Sequence, residues 1–257
     1  MDAAAVRARL ATVGLRPDRI DQIEGGWASW TFELDESLIV RFPRNTSVQE
    51  AMHRELRLLP ALAARVSFAV PVPLHVGDGW FVYEKIRGRP FRRGDDLDGA
   101  RAMIDELHAF PAEEAARILQ RPTWREALAR QWERFEEVVL PLLDGDLANE
   151  VREAFVPSFD FEPALVHDDL GLEHLLVDDS GAPVGIIDFE DATVGDPEVD
   201  FVPLHAELGL PMSPRMAFYR WKGSLHALEY YREQGMLGEI GPAIAELRRR
   251  LDARSGR

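Results

Sequence analysis

The chain of 257 residues contains no cysteine. Disulfides, thiolate nucleophiles and cysteine-bound metals are therefore excluded, and a reducing compartment, the cytoplasm, is the expected location. Lysine is almost missing: of 30 basic residues, only Lys85 and Lys222 are lysines. A catalytic or phosphate-binding lysine thus has two possible places, and neither precedes residue 85. No apolar run approaches the ~20 residues needed to cross a bilayer. A basic surplus is also lacking. The net charge of −15 argues against nucleic acid or an anionic membrane as partner and is compatible with a cationic small molecule. The opening MDAAAVRARLATVG has no apolar stretch of the export-signal kind and reads as an amphipathic helix. Neither an internal repeat nor a low-complexity segment is found.

The hydrophobic share of 46% is enough for one large domain or two lobes. After the first helix, EGGWAS is a glycine turn carrying Gly25 and Gly26. WTFEL and LIVRF then alternate as two strands joined by DES. Residues 46–65 carry helical spacing, with Met52, Leu56, Leu59, Leu62 and Ala63 on one face. FAVPVPLHVGDGWFVYEKIRG supplies a strand, a GDG turn and another strand. From about residue 95 the pattern is mostly helical, interrupted by short strands at ALVH and VGIIDF. The composition shift near RGRPF sets a boundary, with a small β-rich lobe at residues 1–86 and a larger helical lobe at 87–257.

The chemistry-bearing residues gather in HDDLGLEHLLVDDSGAPVGIIDFED. A strand ends at His167, a loop carries Asp168 and Asp169, and a hairpin-like return brings Asp188 back beside that loop. Two acids meeting at strand ends, with His174 between them, can bind a divalent cation and place a base beside it. Oxygen ligands suit Mg²⁺ better than zinc. A single strand-end Asp is most often a turn cap; the spaced set with GDPEVDF behind it is not explained that way.

This set, His167–Asp169–His174 followed by Ile187–Asp188–Phe189 and Gly195–Asp196–Pro197–Asp200, resembles the motif pair of the aminoglycoside and macrolide phosphotransferases, relatives of protein kinases. It is closest to the 2″-aminoglycoside branch. The resemblance implies a two-lobed, protein-kinase-like α+β fold and Mg²⁺-dependent transfer of the γ-phosphate of ATP or GTP to an alcohol group. By it, Asp169 orients the acceptor hydroxyl and takes its proton, while His174 and Asp188 are the metal-side ligands. His167 and Asp196 brace the loop, and Asp168 fills a slot that often holds glycine. Arg41 of VRFPR stands where the family has its phosphate-binding lysine, with Glu55 as its expected helix partner and Glu50 as the fallback. Ser29 faces phosphate, and backbone groups of Glu84 and Ile86 receive the purine. Asp191, Glu207, Trp221 and Glu229 are candidate acceptor contacts, with Glu233, Tyr230 and Tyr231 near them.

Aminoglycosides are the first substrate class, then macrolides or a metabolite hydroxyl. Two other readings stay open. His174 in place of the usual Asn, and Arg41 in place of Lys, are compatible with a nucleotide-binding pseudokinase. The same acids could also serve a metal-dependent hydrolase.

Overall fold

The computed structural model describes residues 1–24, 28–155 and 159–254. Gly25 and Gly26, and with them most of the glycine turn, lie outside the described residues. Contacts divide the chain into two compact units, Met1–Arg121 with Ala164–Val194, and Pro122–Pro163 with Gly195–Arg257.

In the first unit, helix α1 (Ala3–Ala11) precedes β1 (Ile20–Ile23), β2 (Ser29–Leu34), β3 (Leu38–Pro43), α2 (Thr46–Ala63), β4 (Pro73–Val76) and β5 (Phe81–Glu84). The described strands form an antiparallel sheet in the order β1-β2-β3-β5-β4. Asp35 and Glu36 both have positive φ, 49° and 59°. That is the backbone of a tight hairpin whose twist matches its strands, and Asp tolerates it better than most residues. Alternation along β3 does the sorting. Val40 and Phe42 join Val6, Leu10, Phe32, Leu34, Trp80 and Val82 in one core, which turns Ile39 and Arg41 to the opposite face.

Helix α2 starts where the Asn45 side chain accepts from the Val48 N–H, satisfying one of the orphan donors of the first turn. Its buried face carries Ala51, Met52, Leu58, Leu59 and Leu62, and Glu55 sits among them. An ionised carboxylate on such a face costs several kcal/mol, on the order of the effective penalty per buried ion, unless a cation meets it. The unit continues through β6 (Arg89–Pro90), α3 (Leu97–His108), α4 (Ala112–Leu119), β7 (Ala164–Val166), β8 (Leu175–Val177) and β9 (Pro183–Ile186). Strands β6, β8 and β9 form a small antiparallel sheet. At Gly185 the chain passes so close to Ala69 that a Cβ would meet its carbonyl at 2.6 Å. Ala69 also donates to the Val184 carbonyl and accepts from Ile186 N–H, so this glycine fixes the strand that leads into Asp188.

The second unit is helical. It contains α5 (Trp124–Val138), α6 (Gly145–Ala154), α7 (Val202–Leu208), α8 (Pro214–Glu233) and α9 (Leu237–Arg254). A capping box between Thr123 and Glu126 starts α5, and the Ser213 side chain caps α8. Their core is aromatic: Phe135, Phe155, Phe218 and Trp221 pack with Leu225, Leu228, Leu247 and Leu251. Among the described residues no helix is long and apolar enough to cross a membrane.

Helix α4, the edge strand β1 and the two-residue β6 go beyond the sequence reading. Helix α4 begins at Ala112 without a side-chain cap, so the usual N-terminal signal is missing there.

Candidate functional site

The β8–β9 hairpin builds the site by register. Leu175 pairs with Ile186, and Ile187 N–H donates to the His174 carbonyl at 3.0 Å. The residue before one strand and the residues after the other are thereby held together, which puts His174 beside Asp188. The turn closing the hairpin is tied by Asp178, which accepts from Ser180 N–H, Ser180 Oγ–H and Ala182 N–H. Asp168 and Asp188 both lie in the left-handed region, with φ of 66° and 72°. This explains why glycine suits the Asp168 slot. At Asp188 the conformation is strain retained beside a cluster of charged groups.

Arg41 is the centre of that cluster. It is 4% exposed. Its Nη1 donates to both Glu55 oxygens at 2.9 and 3.0 Å, and its Nη2 donates to Asp188 at 2.6 Å and to Glu190 at 2.8 Å. The Arg41–Glu55 pair is thus formed, and Glu50 on the exposed side of α2 is not its partner. Glu55 also accepts from Phe189 N–H at 3.2 Å, which joins α2 to the turn after Asp188. Burial alone would lower the Arg41 pKa, but Glu55 and Asp188 outweigh it and raise it.

Three carboxylates share this one guanidinium. Burial pushes Glu55 up to about 7 against the pull of Arg41. Burial, again opposed by Arg41 and reinforced by Asp188 and Glu55, pushes Glu190 up to about 8. Asp188 goes the other way: burial raises it, yet Arg41 and His174 together hold it below the usual carboxylate range.

His174 is oriented by its Nδ1, which lies 2.7 Å from the Asp169 main-chain oxygen. A carbonyl only accepts, so Nδ1 carries the proton and a neutral ring has its lone pair on Nε2. That atom faces Asp188 Oδ2 at 3.7 Å. His167 is fully buried; its ring stacks near His174 and Phe189, and its Nε2 donates to the Ile187 carbonyl at 2.9 Å. For Asp169, burial first and then Asp191, Asp188 and Glu173 lift the carboxyl to about 6, with His174 opposing. The side chain is exposed, so solvent screens part of this effect.

Ser29, Arg41, Ile86, Asp169, His174 and Asp188 line one cleft of about 610 Å³, within the usual range for small-molecule sites. Glu55 stands behind Arg41. Glu84 ends β5 with its side chain exposed and borders a neighbouring depression with Ala69 and Arg87. Asp191 is half-exposed near Arg121. Glu190 was missed by sequence reasoning. The signal was the acid two residues past Asp188, where a DFG-type triplet would carry glycine.

In the second unit, Asp196 is buried and accepts from Glu198 N–H at 3.0 Å and Tyr219 O–H at 2.9 Å. It caps the turn that follows it. Glu207 is exposed on α7. Glu229 is held by Arg134 Nε at 2.9 Å, and Arg134 also pairs with Glu233. Trp221 corrects the sequence reading: it is 0% exposed and packed between Phe155 and Phe218. It fills the core and cannot wall a pocket.

A model of the phosphotransferase enzyme family, APH, matches residues 19–237. The chain belongs to that family. Its kinase-like fold is shared with solved structures across nearly the whole length. The GDP complex of wild-type aminoglycoside 2′-phosphotransferase-IIIa is 21% identical with a TM-score of 0.81, covering 98% of this chain and 99% of the other. The GDP and kanamycin complex of APH(2″)-IIIa is 22% identical with a TM-score of 0.82, covering 96% and 98%. A macrolide 2′-phosphotransferase type I is 20% identical with a TM-score of 0.76, covering 96% of each chain. The uncharacterized protein YcbJ of Bacillus subtilis (strain 168) is 32% identical over 104 residues, which is 40% of this chain and only 26% of that protein.

Proposed function

We propose that this APH-family phosphotransferase moves the γ-phosphate of ATP or GTP to a hydroxyl of a small molecule, with aminoglycosides as the first substrate class. The carrying observation is the buried Arg41–Glu55 pair bonded to Asp188 in the same cleft as Asp169. Kinase chemistry needs this combination: a cation braced by an acid, a metal-side carboxylate, and a second carboxylate open to the acceptor.

Among the described residues no group of three His, Cys, Asp or Glu is arranged to hold a metal. Mg²⁺ does not need one, because it is usually held by one or two carboxylates while phosphates and water complete its shell. The donor set fits: Asp188 is kept ionised, and Nε2 of His174, once without a proton, offers a lone pair beside it. Bound there, Mg²⁺ would neutralise phosphate charge.

The remaining work belongs to the chain. Ser29 and Arg41 would hold the phosphates, and the segment after β5 would receive the purine. Asp169 would orient the acceptor hydroxyl and accept its proton as the new oxygen–phosphorus bond forms and the bond to the β-phosphate oxygen breaks. A carboxylate raised towards neutrality suits that task.

Macrolides are a second reading, favoured by Arg134, which occupies Glu229 and Glu233 and so reduces the free negative charge available to a polycation. The test is incubation with Mg²⁺ and ATP or GTP against aminoglycosides, macrolides and metabolite alcohols, read by mass. A phosphate-sized gain that disappears in Asp169→Asn supports the proposal. Nucleotide binding with no acceptor in any class would support the pseudokinase, and metal binding without nucleotide the hydrolase.

A further inference from the structure

An arginine has five N–H donors, two on each terminal nitrogen and one on Nε. In Arg41 the two terminal nitrogens are met by four carboxylate oxygens: two of Glu55, one of Asp188 and one of Glu190. Nη1 faces the paired oxygens of Glu55, while Nη2 meets two separate carboxylates, one for each of its N–H donors. A phosphate can therefore engage Nη2 only if a carboxylate leaves it. Glu55 is fully buried and is held a second time by Phe189 N–H. Asp188 is adjacent to His174 and belongs to the metal-side pair. Glu190 is different. It borders the cleft, retains 14% exposure, and has Arg41 as its hydrogen-bond partner among the described residues.

We propose that Glu190 is an internal competitor of the nucleotide phosphate, occupying the Arg41 donor that phosphate takes on binding and thereby setting nucleotide affinity. The inference rests on the nucleotide reading above and adds to it a residue that limits binding. Its oxygen bonded to Nη2 stands in for a phosphate oxygen, and the exchange replaces one charge-assisted bond with another.

The test is calorimetric titration of ADP, first in EDTA and then with Mg²⁺, on the whole protein and on Glu190→Gln. Without metal, the variant should bind ADP roughly tenfold tighter, as expected when a competing carboxyl group is removed. Glu36→Gln, on the exposed hairpin turn, should bind like the parent. Equal affinity would overturn the proposal, and weaker binding would mark Glu190 as a nucleotide ligand instead. Absence of binding of both ADP and GDP, in parent and variant alike, would overturn the nucleotide reading itself. Glu190→Ala is the second variant, with thermal melts checking that both fold. Arginine side-chain ¹⁵N spectra of the parent give a measure that needs no variant. Saturating ADP should shift the Arg41 Nη signals, and an unchanged spectrum would overturn the exchange.

Discussion

The Nδ1 of His174 is 2.7 Å from the main-chain oxygen of Asp169, so one bond fixes both the tautomer of the histidine and the position of the loop that carries the candidate base. The opposite ring nitrogen faces Asp188 and is an acceptor in the neutral ring. His174→Asn should keep measurable phosphotransfer, because an amide oxygen can replace Nε2 as a metal-side donor. His174→Ala should weaken Mg–nucleotide binding by about 10–100-fold, the range seen when groups supporting a metal site are lost. Titration of Mg²⁺ against fixed ADP checks both variants. Equal losses would show that the imidazole is specifically required.

Asp169→Asn keeps size and shape but removes the proposed proton acceptor. Transfer should fall by about 10²–10⁴, the usual contribution of a positioned base. The melting temperature should hold, since the side chain is exposed. Nucleotide affinity measured alongside turnover separates the two effects. A loss of binding as large as the loss of turnover would remove Asp169 from the proton-transfer role.

Much of this site was legible in the sequence because strand register is local. HLLVDDSGAPVGII has to fold back on itself, and doing so sets His174 next to Asp188. Glu55 was legible through the family resemblance, as the acid on the helix after VRFPR that matches the partner of the phosphate-binding cation. Glu190 was not, because whether an acid in a short turn points to solvent or to a buried cation depends on the approach of a strand distant in sequence, here β3 with Arg41. Trp221 failed in the other direction. An aromatic flanked by Arg220 and Lys222 looks like a surface residue in one dimension, yet only the packing of α8 shows that it faces inward.

Trp221→Ala should accordingly act on stability. Loss of a large buried aromatic costs about 3–5 kcal/mol, and Trp221→Phe should recover most of it. Denaturant melts measure this directly. If Trp221→Ala instead left the unfolding midpoint unchanged and altered acceptor affinity alone, the core assignment would fail.

Helix α8 also carries a pH dependence. Burial, and then Lys222, push the His226 pKa down from 6.5 to about 3. The folded chain therefore keeps this ring neutral where the unfolded chain binds a proton. Its contribution is full above about pH 6.5 and is lost as pH falls towards 3. The side chain is 40% exposed, so solvent moderates the effect. His226→Gln should flatten the fall in melting temperature between pH 6.5 and 5, and an unchanged slope would exclude His226 as its source.

Arg41 should be the most costly surface-independent charge to remove. Arg41→Ala leaves Glu55 buried without its cation, and breaking such a pair costs about 3–5 kcal/mol. Arg41→Lys should not restore the parent, because an ammonium offers three donors and no planar fork for Glu55, Asp188 and Glu190 together. Arg44 provides the control. It lies over the Trp30 ring and donates from Nε to the Ser29 carbonyl, so Arg44→Ala should leave nucleotide affinity near the parent value. The damage in Arg41→Ala should also depend on pH in a defined direction. Glu55 already sits at about 7 against an ordinary 4.5, with Arg41 opposing the rise; without that cation it moves higher. Between the two pKa values the folded chain holds a proton that the unfolded chain has released, so stability falls as pH rises. Arg41→Ala should therefore be closer to the parent at pH 5 than at pH 8 in parallel denaturant melts. The reverse order would mean that Glu55 is not the uncompensated charge.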